Sequence, residues 1–106
     1  MKSILKASCM MLALALALST YTFADAGADI FKARCSACHG PTGAGDTTMG
    51  KNLKLPDLGS ADVQKQTDDE LTTIITAGKG KMPKYAEKLS KEQIGEVVKF
   101  IRTLKK

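Results

Sequence analysis

The chain has 106 residues, of which 43% are hydrophobic and 5% aromatic, and its 16 basic and 11 acidic side chains give a formal net charge of +5. This length fits one small domain, and the sequence shows neither an internal repeat nor a second domain. Loss of Lys2 and Lys6 with the amino-terminal segment described next lowers the charge from +5 to +3, which argues against a nucleic-acid-binding protein.

Residues 1–24 have the layout of a secretory signal peptide. Lys2 and Lys6 make the start basic, an apolar run covers residues 7–18, and small residues close the segment. We expect cleavage after Ala24 or Ala26 and therefore a periplasmic location. The apolar run has about a dozen residues, fewer than the ~20 that a membrane-spanning helix needs. We therefore expect no stable membrane span after removal of the leader, and an uncleaved anchor is the alternative.

The first helix is predicted to begin near Asp25 and to run into the sequence Cys35-Ser36-Ala37-Cys38-His39. Gly27 and Phe31 are four residues apart, so they share one face of this helix. The motif is a C-x-x-C-H, the attachment signature of c-type haem. Its two thiols can each bond one vinyl-derived carbon of a haem, and the adjacent histidine can reach the iron.

The cysteine spacing has two other interpretations. A C-x-x-C pair also occurs in thioredoxin-like redox proteins and in zinc sites. The remaining cysteine, Cys9, lies in the expected leader. Cys35, Cys38 and His39 would then be three nearly contiguous zinc ligands, which is a poor tetrahedral arrangement. The thioredoxin interpretation needs a preceding strand that the sequence does not show, so covalent haem is the preferred prediction.

Two further helices are predicted from capping boxes, with loops between them. Thr67 and Glu70 begin the second helix, and Gly78 is its natural stop. Ser90 and Gln93 begin the third helix in the same way. The apolar faces of these two helices consist of Leu71, Ile74 and Ile75, and of Ile94, Val97, Val98, Ile101 and Leu104.

The first and last helices are expected to cross closely. Small residues at Gly27 and Gly95 would allow their backbones to approach, with Phe31 and Val98 beside them. The apolar residues expected to line a haem pocket are Leu53, Leu55, Leu58, Leu71, Ile74 and Ile75.

The order of these features resembles the class I c-type cytochromes, in particular the short soluble bacterial monohaem proteins. Gly27 and Phe31 precede the haem motif, Met82-Pro83 follows in a glycine-rich loop, and Phe100 lies on the last helix. The resemblance covers residues 25–106. It implies an all-α cytochrome c fold, in which the N- and C-terminal helices cross and a third helix and loops wrap one covalently bound haem c.

The axial ligands of the iron can be narrowed by elimination. His39 is the only histidine, and every methionine outside the expected leader is either Met49 or Met82. Pro83 favours an extended backbone at Met82, and the family places its sulfur ligand in such a setting. The expected haem-binding residues are therefore Cys35, Cys38, His39 and Met82, with Met49 as the alternative to Met82.

Filled axial positions imply a protein that passes single electrons between redox partners and is not an enzyme. A cytochrome subunit of a periplasmic dehydrogenase complex is one alternative. A peroxidase-like enzyme is less favoured, because the chain has no second histidine. Lys79, Lys81 and Lys84 are expected to meet an acidic patch on a partner, and we expect a monomer.

Overall fold

The computed structural model describes residues 23–106, and side-chain surroundings from Asp25 onward. The predicted signal peptide therefore lies almost wholly outside the described residues. Within the described range the regular structure is helical and no strand is found, which confirms the predicted all-α class. The helices are α1 (Phe23–Arg34), α2 (Ser36–His39), α3 (Thr48–Asn52), α4 (Ala61–Gln64), α5 (Asp68–Ala77) and α6 (Lys91–Thr103).

Helix α1 begins two residues before the predicted start and contains both expected cleavage positions, Ala24 and Ala26. It ends at Arg34, and the haem motif continues as the separate short helix α2. Cleavage at either position would leave the part of α1 that carries Gly27 and Phe31. None of the described helices is both long and apolar enough to cross a membrane.

Both predicted capping boxes are present. The Thr67 hydroxyl accepts the Glu70 backbone N–H at 3.1 Å, and the Glu70 side chain accepts the Thr67 N–H at 3.3 Å. Ser90 and Gln93 make the same reciprocal pair at 3.1 and 2.8 Å. These bonds satisfy N–H groups that have no partner within the helix, so they fix where α5 and α6 begin.

Helices α3 and α4 were not expected, because the sequence prediction assigned loops to both segments. Each begins at a hydroxyl that accepts the backbone N–H of the residue three positions later. Thr47 accepts from Gly50 at 2.9 Å, and Ser60 accepts from Val63 at 3.5 Å. With five and four residues, these helices are too short to show a repeating apolar pattern.

The crossing of α1 and α6 brings two backbones into direct contact. A side-chain Cβ at Gly27 would meet the Glu96 carbonyl oxygen and lie 3.1 Å from Cβ of Phe100. The Phe31 and Phe100 rings pack with centroids 5.0 Å apart. The predicted role of Gly95 is wrong, because a Cβ there would have no atom within 4 Å. Adjacent helix residues point about 100° apart, and it is Glu96 that faces α1.

Arg102 links α6 to the α4–α5 connection. It donates to the Gln64 carbonyl at 2.9 Å and forms an ion pair with Asp68 at 2.8 Å, so it fixes α6 against that connection.

The buried core joins all the longer helices. The buried apolar side chains are Phe31, Leu58, Val63, Leu71, Ile75, Leu89, Ile94, Val97, Val98 and Ile101.

Candidate functional site

A cavity of about 610 Å³ lies between the haem motif, α5, α6 and the loops. Its volume falls within the range of about 300–1,000 Å³ that is usual for cofactor sites. Seven of the ten core side chains also line it, so the core of this domain is largely the wall of the cavity. All six residues predicted to line a pocket do so: Leu53, Leu55, Leu58, Leu71, Ile74 and Ile75.

The three side chains of the motif lie together on this wall. Cys35, Cys38 and His39 all line the cavity, and the His39 N–H donates to the Cys35 carbonyl at 2.9 Å. Residues three and four apart in a helical turn share one face. The helical geometry of the motif therefore directs both thiols and the imidazole at the same space.

Burial sets the protonation states of these groups. Desolvation raises the pKa of the Cys35 thiol to about 11, although Arg34 lowers it and Cys38 adds a smaller increase. Desolvation also lowers the pKa of His39 below its ordinary 6.5. Near neutral pH the Cys35 thiol is protonated, unlike the low-pKa thiols of dithiol oxidoreductases. The imidazole is neutral there and has a lone pair available for a metal.

The His39 ring has a buried atom without a partner. Its Nδ1 makes no hydrogen bond within the described residues. Nearly all buried polar atoms in native proteins are bonded. A metal-bound imidazole uses one ring nitrogen as the ligand and donates its other N–H to an acceptor, so the lack of a bond at Nδ1 leaves the His39 ring without the partner that would orient it.

Two hydrogen bonds connect the loop after the motif to the backbone of the motif. The Gly45 N–H donates to the His39 carbonyl at 2.7 Å, and the Thr47 hydroxyl donates to the Cys38 carbonyl at 2.7 Å. A Cβ at Gly50 would lie 2.6 Å from that Cys38 oxygen, so only glycine allows this approach. Helix α3 is thereby held against the end of the motif.

Met82 reaches the same cavity from a different segment. It is half-buried and lies at the end of a tight turn, where its N–H donates to the Lys79 carbonyl at 2.9 Å and its own carbonyl accepts the Lys79 N–H at 3.2 Å. Met49 is 52% exposed on α3 and does not line the cavity. Of the two candidate methionines, the fold brings Met82 to the cavity.

Tyr85 is a lining residue that the sequence analysis missed. Its hydroxyl donates to the Arg34 carbonyl at 3.0 Å, across 51 positions of the chain. Burial raises the pKa of Tyr85 above its ordinary value, with smaller contributions from Cys35 and Cys38, so the hydroxyl remains a donor. An aromatic residue three positions after Met82 in a polar loop was the available signal.

Basic side chains lie at the rim of the cavity. Arg34, Lys79 and Lys81 are exposed and also line it. Lys84 is exposed but is not part of the lining. Among the side chains described, no group of three or more His, Cys, Asp or Glu residues is placed to hold a metal ion.

A helical domain that closes around one apolar cavity, with a C-x-x-C-H motif on its wall, defines a small monohaem c-type cytochrome. Residues 22–101 match the family described as cytochrome c oxidase, cbb3-type, subunit III. The chain belongs to this family of cytochrome c domains.

Known proteins agree with this assignment. A cytochrome c6 from Leptolyngbya boryana is 36% identical over 78 residues, which cover 74% of this chain and 88% of the relative. A cytochrome c6 from a Picosynechococcus strain is 34% identical over 110 residues, covering 95% of this chain and 92% of the relative. A solved c-type cytochrome, KustC0563, has a TM-score of 0.71 and 29% identity, covering 76% of this chain and 98% of its own.

Family membership decides between the interpretations of the cysteine pair. The chain carries one covalently attached haem c, and it is an electron carrier and not an enzyme. The zinc, dithiol and peroxidase alternatives are set aside. The lining residues fit this group, because they offer two thiols, a neutral imidazole and a mainly apolar enclosure.

Proposed function

We propose that the protein is a monomeric carrier of single electrons outside the cytoplasmic membrane. Cys35 and Cys38 form the thioether links, and His39 and Met82 are the axial ligands. The observation that supports this assignment is that His39 and Met82, 43 positions apart in sequence, line one cavity together with both thiols. We further propose that residues 1–24 are a removable signal peptide that directs the domain to the periplasm.

Cys35 and Cys38 would hold the cofactor covalently without a change of oxidation state. Addition of each S–H across one vinyl group would place sulfur on one carbon and hydrogen on the other, so no oxidant or reductant would be needed. Burial raises the pKa of the Cys35 thiol to about 11, so near neutral pH this thiol would still carry the hydrogen that the addition requires. The haem supplies an iron centre that accepts and releases one electron.

His39 and Met82 contribute two neutral ligands. A thioether is a soft ligand that raises the reduction potential of the haem. With His39 and Met82 both donating to the iron, the chain would leave no open position for oxygen or peroxide. Because the same two side chains would serve both oxidation states, little would have to move on electron transfer.

The methionine assignment is tested by Met82→Ala in the haem-loaded protein, with Met49→Leu as the matched control. We expect Met82→Ala to abolish the far-red sulfur-to-iron absorption band. We also expect its reduction potential to fall by roughly 100 mV, since axial ligands span about 0.8 V. Met49→Leu should keep both properties, because Met49 lies outside the cavity lining. An intact band in Met82→Ala would reject the assignment, and loss of the band in Met49→Leu would transfer it to Met49.

We propose that partners dock at the basic rim, where Lys79 and Lys81 line the cavity mouth and Lys84 lies exposed close by in sequence. An acidic patch on the partner would complement these charges, and the interface would be small and transient.

The matched family takes its description from an oxidase subunit. A fixed subunit of a respiratory or dehydrogenase complex is therefore the second candidate, and it would co-purify with its complex.

A further inference from the structure

The segment that carries Met82 is tied mainly to the helix from which it emerges. The Gly78 N–H donates to the Ile74 carbonyl at 2.8 Å, and the Tyr85 N–H donates to the Ile75 carbonyl at 3.0 Å. These bonds join the segment to the end of α5. They would persist if the segment moved away from the haem motif together with α5, so they do not by themselves fix the distance between Met82 and His39.

The Tyr85 side chain makes the connection across the cavity. Its hydroxyl donates to the carbonyl of Arg34, which is the last residue of α1 and directly precedes Cys35. The last carbonyls of a helix have no donor within that helix, so this bond satisfies one of them. The bond joins the segment bearing Met82 to the segment bearing the thiols.

The ring of Tyr85 is positioned for this contact by its surroundings. It packs against the buried core and lines the cavity, and the Lys88 ammonium lies 5.4 Å from its centroid. The hydroxyl therefore extends from a fixed ring rather than from a free side chain. Removing only the hydroxyl should leave this packing in place.

We propose that Tyr85 is a positioning residue whose hydroxyl bond to Arg34 holds the Met82 segment over the haem and opposes dissociation of Met82 from the iron. The proposal rests on the proposed function, since it requires Met82 to be the ligand. A single hydrogen bond of this kind is typically worth about a three- to tenfold change in an equilibrium constant. Loss of the hydroxyl should therefore increase the fraction of molecules in which Met82 has left the iron by about that factor.

The experiment uses the haem-loaded Tyr85→Phe protein and imidazole, a small ligand that reaches the iron only after Met82 has left. Titration of the oxidised protein is followed by loss of the sulfur-to-iron band. We expect Tyr85→Phe to start with a normal band and to bind imidazole roughly three- to tenfold more tightly than wild type. Thr67→Ala is the matched control, because it removes the cap of α5 and lowers global stability while leaving the Tyr85 bond untouched. It should bind imidazole as wild type does.

The outcomes distinguish failure of the Tyr85 proposal from failure of the Met82 assignment. Unchanged imidazole affinity in Tyr85→Phe, or an equal gain in Thr67→Ala, would overturn the positioning role while the Met82 assignment stands. A sulfur-to-iron band that persists in Met82→Ala before any imidazole is added would show that Met82 is not the ligand. That result would also overturn the positioning role of Tyr85. Denaturant unfolding of each variant shows that its global fold is retained.

Discussion

At the scale of single residues, Gly78 determines how the chain leaves α5 and enters the turn that carries Met82. Its φ of +76° and ψ of 170° lie in a region that is essentially limited to glycine. A Cβ there would also lie 2.6 Å from the Met82 carbonyl oxygen. Gly80, at the tip of the same turn, has a φ of +58° but no atom within 4 Å of its Cβ position. Gly78 is thus required both by its backbone conformation and by a close contact, whereas Gly80 is required by its backbone conformation alone.

We predict that Gly78→Ala destabilises the haem-loaded protein by about 2–4 kcal/mol, because backbone strain and a clash with Met82 add together. Gly80→Ala should cost only about 1 kcal/mol, since a left-handed backbone is its sole penalty. Denaturant unfolding of both variants measures the difference. The sulfur-to-iron band should weaken in Gly78→Ala and persist in Gly80→Ala. Equal losses of stability would show that the contact with Met82 has no energetic weight.

At the scale of helices, the crossing of α1 and α6 depends on one small residue at the point of contact. Gly27 lies against the Glu96 carbonyl, and the neighbouring Phe31 and Phe100 rings fill the space beside it. Gly95 lies in α6 and faces open space, so its lack of a side chain serves no contact and only leaves the helix backbone more flexible. The same residue type therefore has opposite energetic roles at two positions of one helix pair.

We expect Gly27→Ala to destabilise the protein by about 1–3 kcal/mol, because the added Cβ forces the two helices apart, and Gly27→Leu to destabilise it further. Gly95→Ala should instead raise stability by about 0.5–1 kcal/mol, since alanine is the better helix former and meets no neighbour. Thermal melts of the haem-loaded variants measure both shifts. If both substitutions moved the melting temperature in the same direction, the described crossing would be incorrect.

The short helices α3 and α4 depend on tertiary contacts for their stability. Isolated helices of this length are unstable in water. Helix α3 is held by the hydrogen bond from Thr47 to the Cys38 carbonyl and by the contact of Gly50 with the same oxygen. Its existence thus depends on the haem motif being folded beside it.

For the molecule as a whole, the core and the cofactor site share most of their side chains, because seven of the ten buried apolar residues also line the cavity. Phe31, Val97 and Ile101 are buried in the core and also face the cavity. A domain of about 80 residues is marginal even with a complete core. Without haem, these side chains would surround a void and lose contacts on one side.

Haem-free protein, produced without the attachment machinery, is therefore predicted to be largely unfolded. Circular dichroism should show much less helix than in the haem-loaded protein, and heating should give no sharp transition. Full helix content with a cooperative melt in the haem-free chain would contradict this, because the polypeptide core alone would then suffice. The haem-loaded protein under the same conditions is the reference.

The basic rim leads to a prediction about docking. The rate of electron transfer to an acidic partner should fall as salt is added, because screening weakens the attraction of the lysines. Lys81→Gln should lower that rate at low ionic strength by several-fold. Lys91→Gln removes the same charge from an exposed position outside the cavity lining and should change the rate less. Stopped-flow kinetics over a range of salt would test both statements, and a flat salt dependence would reject electrostatic docking.

Features that are encoded locally could be predicted from the order of the amino acids. The C-x-x-C-H motif identifies its chemistry through five adjacent residues, and the capping boxes at Thr67 and Ser90 mark helix starts through bonds within one turn. Helical periodicity predicted the pocket residues Leu71, Ile74 and Ile75, whereas Leu53, Leu55 and Leu58 lie outside the helices and were predictable only from their apolar character.

Features that depend on contacts between distant residues became visible in the folded chain. It brought Met82 to the cavity and left Met49 exposed, and it showed that Glu96 rather than Gly95 meets Gly27. It also joined Tyr85 to Arg34 across the cavity. The physical reason is that burial, close approach and long-range hydrogen bonds are properties of pairs of segments, and neither segment alone specifies them.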